Sequence, residues 1–194
     1  TISVLNPDEL IVQAVELIRD RFERSAGVYY AALFLVEETG QWARLRHATG
    51  NAGRVLLERQ HKLEVGGNSM VGWSTANKRA RIALDVGAEP VRFANPLLPH
   101  TRSELALPLT VGETVLGALD VQSTMSGAFT EADVAVLQTM ADQIGIALRN
   151  AQLLTSTQRT QSLLAGAAEV ARVATASLDR AVLLSTTVDL IRDR

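Results

Sequence analysis

The residues able to do chemistry are few. The 194-residue chain has three histidines, His47, His61 and His100, and no cysteine. Without a thiol there is no disulfide framework, thiolate zinc site, iron–sulfur cluster or cysteine nucleophile. A pigment held by a thioether bond is excluded as well. No histidine stands three or four residues from another, or from a carboxylate in a zinc pattern such as HExxH. His47 falls on an apolar strand face and reads as a packed, partly buried side chain. His100 lies beside Arg102 in a proline-containing loop, the kind of segment where binding residues concentrate. An ordinary loop histidine remains the preferred reading there.

The run Gly67-Asn68-Ser69-Met70-Val71-Gly72-Trp73-Ser74 nearly matches the phosphate-binding GxxxxGK[ST] loop. Trp73 replaces the lysine, so no ammonium is available for the β- and γ-phosphates. Gly67-Asn68-Ser69 is no nucleophile elbow, because Val71 stands where GxSxG needs glycine. Asp85 and Asp120 could do acid–base work only at close range. The preferred readings are a turn residue for Asp85 and an exposed strand position for Asp120.

The elements that must position these residues follow from pattern. Residues 6–24 read as a helix, with Asn6 as N-cap, Pro7 at the first position, and a stripe of Leu10, Ala14, Leu17 and Ile18 widened by Ile11 and Val15. Gly27 ends it. Residues 28–36 and 42–48 pair as a hairpin. In the second strand Trp42, Arg44, Arg46 and Ala48 share one face; Ala43, Leu45 and His47 share the other. Residues 49–54 read as a loop, 62–65 as a short strand, 68–77 as a short helix capped by Asn68 or Ser69, and 81–86 as a strand. Residues 87–102 form a long loop with three prolines, long enough to suggest a functional lid. Residues 104–109 and 115–123 are a second hairpin, with Pro108 marking an edge position or a bulge. Thr130 and Asp133 open a helix expected to run to residue 175. A helix that long suggests a dimer stalk or interdomain rod, with Leu137, Ile144, Leu148 and Ala151 as its seam.

Apolar residues make up 47% of the chain and charged residues 21%, so a sizeable core can form. The 19 basic and 21 acidic residues leave a net charge of −2, which argues against a nucleic-acid partner. No apolar run approaches the roughly 18 residues of a membrane span, so no membrane contact is expected. No signal peptide is visible, and the chain, beginning at Thr1, reads as cut from something longer. The missing cysteines suggest a cytoplasmic setting.

The two ends echo each other. LNPDELIVQAVELIRDR (residues 5–21) aligns without gaps on LDRAVLLSTTVDLIRDR (residues 178–194), with eight of 17 pairs identical. Two generic amphipathic helices could converge this far. The preferred reading is a second domain copy beginning near Leu178.

Three blocks together resemble a GAF domain: the opening helix LNPDELIVQAVELI, the segment GGNSMVGWSTANKRARIALDV, and SELALPLTVGETVLGALDVQSTMSGAFTEADVAVLQTMADQIGIALRNAQLL. The resemblance implies an α+β fold: a six-stranded antiparallel sheet with helices packed on one face, a ligand pocket on the other, and a long C-terminal connecting helix. It divides the chain into a sensor domain (1–154), a signalling helix (155–177) and the start of a second GAF-like domain (178–194). By analogy the pocket residues are Trp73, Asp85, Phe93, His100, Arg102, Ser103, Leu105 and Leu107.

The N-K-F-D-E signature of cyclic-nucleotide-binding members is absent. The covalent bilin attachment of phytochrome-type members and the activity of methionine sulfoxide reductase members both need cysteine. The cofactor is therefore unknown, with a non-covalent small molecule still open. The implied role is a non-enzymatic sensor module in a multidomain signalling protein such as a two-component sensor histidine kinase. It would relay its state as a homodimer to adjacent output domains. The alternative is a ligand-free dimerisation spacer that transmits motion between neighbouring domains.

Overall fold

Helix α1 (Pro7–Ala26) starts where Asn6 Oδ1 accepts the amide hydrogen of Asp8 at 3.1 Å, and ends at Gly27, whose φ of 61° is left-handed. The computed structural model describes residues 6–86 and 95–192, with side chains to residue 176. The buried stripe of α1 is Ile11, Val15, Ile18 and Phe22, at spacings of four, three and four. That shifts the expected centre by one position: Leu17, counted in the stripe, is 60% exposed.

Strands β1 (Val28–Val36) and β2 (Trp42–Ala48) pair antiparallel, as expected. The alternation of β2 does not persist through the strand. Leu33 faces His47 and Phe34 faces Leu45, so Arg46 is an extra residue in a bulge. The bulge moves Ala48 into the core of Ala43 and Leu45. His47 turns instead toward α1, its Nε2 3.2 Å from Glu16 Oε1, partly buried as expected.

Residues 49–54, expected as a loop, open helix α2 (Gly50–Glu58). Two glycines disguise it. Gly53 is required by packing, since a Cβ there would sit 2.3 Å from the Ala48 carbonyl oxygen. Strand β3 (Lys62–Glu64) and helix α3 (Met70–Asn77) follow. Ser69 caps α3, its Oγ accepting the Gly72 amide hydrogen at 2.8 Å. Strand β4 (Arg81–Ala83) is shorter than the 81–86 expected.

Strands β5 (Ser103–Val111) and β6 (Thr114–Ser123) form the second hairpin. Strand β4 pairs only with residues 104–106 of β5, so Pro108 sits where β5 has become an edge. The sheet order is β3-β2-β1-β6-β5-β4, antiparallel at every pairing.

Each face of the sheet carries its own core. On one, α1 and helix α4 (Glu131–Arg192) cover Leu33, Leu105, Leu107, Leu109, Leu119 and Val121. On the other, α2 and α3 cover Tyr30, Phe34, Ala43, Leu45, Ala106 and Ala118. Thus the pocket-bearing face also holds two short helices.

The start of α4 is fixed by a reciprocal capping box. The Asp133 amide donates to Thr130 Oγ1 at 3.2 Å, and the Thr130 amide donates to Asp133 Oδ2 at 3.0 Å. Leu137 and Leu148 are fully buried, and Ile144 is 8% exposed, all within the core beneath α1 and α4. These three residues, expected with Ala151 along the seam of a dimer stalk or interdomain rod, pack inside their own domain; Ala151 is half-buried.

The chain divides into one unit through Ala151 and a second from Gln152. In the second unit α4 continues to Arg192, beyond the expected end at 175, and every side chain from 152 to 176 is exposed. Side chains of the 178–194 echo lie outside the described residues. Among the described residues, no helix is long and apolar enough to cross a membrane.

Candidate functional site

Because strand side chains alternate, β5 and β6 present two stripes each. The large apolar stripe, Leu105, Leu107, Leu119 and Val121, packs toward α1 and α4. The other stripe holds Glu104, Ala106, Ala118, Asp120 and Gln122. Small alanines there leave room, and the polar residues line a cavity of about 30 Å³ together with Tyr30, Phe34, His61, Leu63, Ser69, Val71, Asn95 and Leu98.

A directed hydrogen-bond chain runs into this cavity. Thr101 Oγ1 lies 2.6 Å from Gln122 Oε1 and donates to it, because an amide oxygen can only accept. Tyr29 must then donate its hydroxyl hydrogen to Thr101 Oγ1, 2.7 Å away. Gln122 Nε2 donates in turn to Asp120 Oδ2 at 2.8 Å. The chain ends on the buried Asp120 carboxyl, which the neighbouring Glu104 carboxyl also hydrogen-bonds.

Asp120 is only 4% exposed, contrary to the exposed position its strand pattern suggested. Burial raises its carboxyl from 3.8 to about 7, partly opposed by hydrogen bonding from Gln122 and Glu104. The Tyr30 phenol is pushed far upward by burial and by the nearby Asp120 and Glu104, so it stays neutral. Burial lowers the His61 imidazole below its ordinary value. Its ring meets Phe34 edge-on at 6.2 Å, and its backbone is pinned by bonds to Leu56 and Leu45.

A second, more open cleft of about 230 Å³ lies alongside, lined by Trp42, His61, Lys62, Leu63, Glu64, Gly67, Asn68 and Ser69. It shares His61, Leu63 and Ser69 with the inner cavity. The Lys62 ammonium is parked over the Trp42 ring, 4.2 Å from its centre. Gly72 lets α3 press against β3, since a Cβ there would lie 2.2 Å from the Glu64 carbonyl oxygen.

The eight residues expected to line the pocket are not gathered in either space. Leu105 and Leu107 occupy the opposite core, one register step away. Ser103 is buried on that side too, its Oγ 2.6 Å from the Met125 carbonyl oxygen and 3.0 Å from that of Leu84. Asp85, His100 and Arg102 are exposed. Trp73 is half-buried on α3 with the Arg81 guanidinium 4.8 Å over its ring. Phe93 lies outside the described residues. Glu104, Gln122, Thr101, Tyr30 and His61 were missed. The signal that could have found the first two was present: within each strand the larger apolar stripe belongs under the long helices, leaving the polar stripe for the cavity.

The arrangement can hold a hydrogen-bond donor at Asp120, or exchange a proton near neutrality. Among the described residues no three His, Asp or Glu side chains gather as a metal site.

A profile described as GAF domain matches residues 4–149. No curated protein matches the chain. Among solved structures, the GAF domain of an Acinetobacter phosphoenolpyruvate-protein phosphotransferase superposes with a TM-score of 0.63 at 20% identity, covering 79% of this chain and 86% of that one. The type II free methionine-R-sulfoxide reductase of Thermoplasma acidophilum superposes at 0.60 with 18% identity, covering 75% and 96%. The free methionine-R-sulfoxide reductase of Neisseria meningitidis, in complex with its substrate, superposes at 0.61 with 18% identity, covering 76% and 82%. The reductases overturn the expectation that this chain is no enzyme: the fold it shares with them carries catalysis. At these identities the likeness concerns the fold.

Proposed function

The chain belongs to the GAF domain family, and we propose that it is a cytoplasmic sensor module of a larger signal-transduction protein, binding a small molecule non-covalently in the cavity beside Asp120. The observation that carries this reading is the position of β6. Asp120 and Gln122 line the cavity, while Leu119 and Val121, between and beside them, pack in the core of Leu137 and Leu148 on α4. A ligand that displaces β6 by a fraction of an ångström therefore acts on the root of α4, biasing two arrangements of that helix. The 178–194 echo fits a second GAF-like copy after a connecting helix. A homodimer would carry the change to output domains, a histidine kinase being one such context.

Native mass spectrometry of the purified chain tests for a retained small molecule. A thermal-shift screen with cyclic nucleotides, haem, tetrapyrroles and small metabolites extends the search. A specific ligand that raises the melting temperature, and loses this effect when the cavity is altered, supports the sensor. The small volume of the inner cavity favours a second reading, the ligand-free spacer. That reading predicts no retained molecule and no shift with any compound.

A further inference from the structure

We infer that Met125 is an oxidation site, through which a peroxide loosens the joint between helix α1 and the segment leading into α4. This does not rest on the sensor reading of the cavity. The chain has three methionines, Met70, Met125 and Met140. Met70 is 1% exposed, Met140 packs partly buried against the core beneath α1 and α4, and Met125 is 50% exposed. A thioether reacts only where an oxidant can reach its sulfur. Exposure therefore singles out Met125.

Its sulfur is also a packing element. Gly27 ends α1 in the left-handed conformation, and its missing side chain leaves a space. Met125 fills that space: a Cβ on Gly27 would lie 2.8 Å from both Cγ and Sδ. The backbone around this contact is pinned on both sides. Ser123 Oγ donates to the Ala26 carbonyl oxygen at 2.6 Å and accepts the Met125 amide hydrogen at 2.9 Å. The Thr124 amide donates to the Gly27 carbonyl oxygen at 3.1 Å. On the other side Ser103 Oγ lies 2.6 Å from the Met125 carbonyl oxygen. With the main chain held, a change at the sulfur is taken up by the side chain, which has to leave Gly27.

The step is a two-electron oxidation by hydrogen peroxide. A lone pair of Sδ attacks one peroxide oxygen, an S–O bond forms and the O–O bond breaks. The second oxygen leaves as water, taking the proton of the first. Sulfur is oxidised and the peroxide is reduced. The product is a polar sulfoxide, larger by one oxygen, and water solvates it better than the packed contact does. The turn that ends α1 then loses its cover. The same segment runs on to Thr130, which caps α4, so both helices on that face of the sheet are anchored at this joint.

The test treats the purified chain with hydrogen peroxide and follows each methionine by peptide mass mapping with fragmentation. Met125 should gain an oxygen before Met140, and about tenfold faster than buried Met70. The thermal midpoint should then fall by about 2–4 °C, the shift that one lost packing contact gives in a chain of this size. Amide hydrogen exchange should quicken severalfold at Gly27 and Thr124, whose amides bond across the joint to Phe22 and Gly27. Met125→Leu keeps the packing and cannot take up oxygen. It should melt near untreated wild type and stay there in peroxide. Stereospecific methionine sulfoxide reductases acting on the oxidised wild type need no variant, and they should restore the midpoint. Oxidation of Met70 or Met140 as fast as Met125 would overturn the proposal. So would an oxidised Met125 with midpoint and exchange unchanged, the same fall in Met125→Leu, or a midpoint that stays low once Met125 is reduced.

Discussion

Asp120 and Leu119 are neighbours on β6 and face opposite cores: Leu119 is fully buried beneath α1 and α4, and Asp120 closes the cavity on the far side. One peptide unit thus separates the candidate ligand site from the packing of α4. Tight interiors transmit small displacements instead of absorbing them, so the site and the helix root are mechanically joined.

The Asp120 carboxyl gives stability a pH signature. Its value of about 7 lies above the ordinary 3.8. Between those values the folded chain holds a proton that the unfolded chain releases. This contribution is therefore intact below pH 4, declines as pH rises to about 7, and stays lost above. Asp120→Asn removes the titration. Urea unfolding should show the variant gaining on wild type by about 1–4 kcal/mol between pH 5 and pH 8. A difference that does not change with pH would contradict the buried, raised carboxyl.

Gly53→Ala should destabilise the chain although Ala is the better helix former. The added Cβ would lie 2.3 Å from the Ala48 carbonyl oxygen, which is backbone and cannot rotate away. Urea denaturation should register a loss of about 1–3 kcal/mol, the usual range for overpacking. A neutral result would mean that α2 stands further from β2 than this packing requires.

Leu148→Ala and Leu163→Ala separate core from surface on the same helix. Leu148 is fully buried and Leu163 is 67% exposed. The first should cost about 2–5 kcal/mol, and the second should remain within about 0.5 kcal/mol for the isolated chain. Sedimentation should show Leu148→Ala leaving the oligomeric state unchanged. A loss of association without loss of stability would return Leu148 to an interchain seam.

Thr130→Ala removes one half of the capping box at the start of α4. The loss should be about 1 kcal/mol, and Thr130→Ser should restore most of it. Thermal melts of the three proteins side by side decide the matter.

Much of this protein could be read from its chain. The two hairpins, the caps at Asn6, Ser69 and Thr130, and the family resemblance follow from local pattern, because periodicity and capping act over a few residues. Helix α2 was hidden by Gly50 and Gly53, and the low helix propensity of Gly53 is outweighed by its close approach to Ala48. The apolar positions of α4 were legible as a stripe, but a stripe does not say what covers it. Only the packed sheet assigned Leu137 and Leu148 to the domain's own core.

The candidate site divides along the same line. That β5 and β6 alternate was plain from SELALPLTV and LGALDVQS. Which stripe faces the cavity depends on a single step of register and on which helices lie over each face, and both are long-range. The bulge at Arg46 likewise reversed Ala48 and His47 against their local pattern. Sequence by itself determined the two hairpins, the helix caps and the family, since those rest on neighbours along the chain. The tertiary structure alone decided that Asp120 is buried and hydrogen-bonded with Gln122 and Glu104, because burial is set by contacts between residues far apart in sequence.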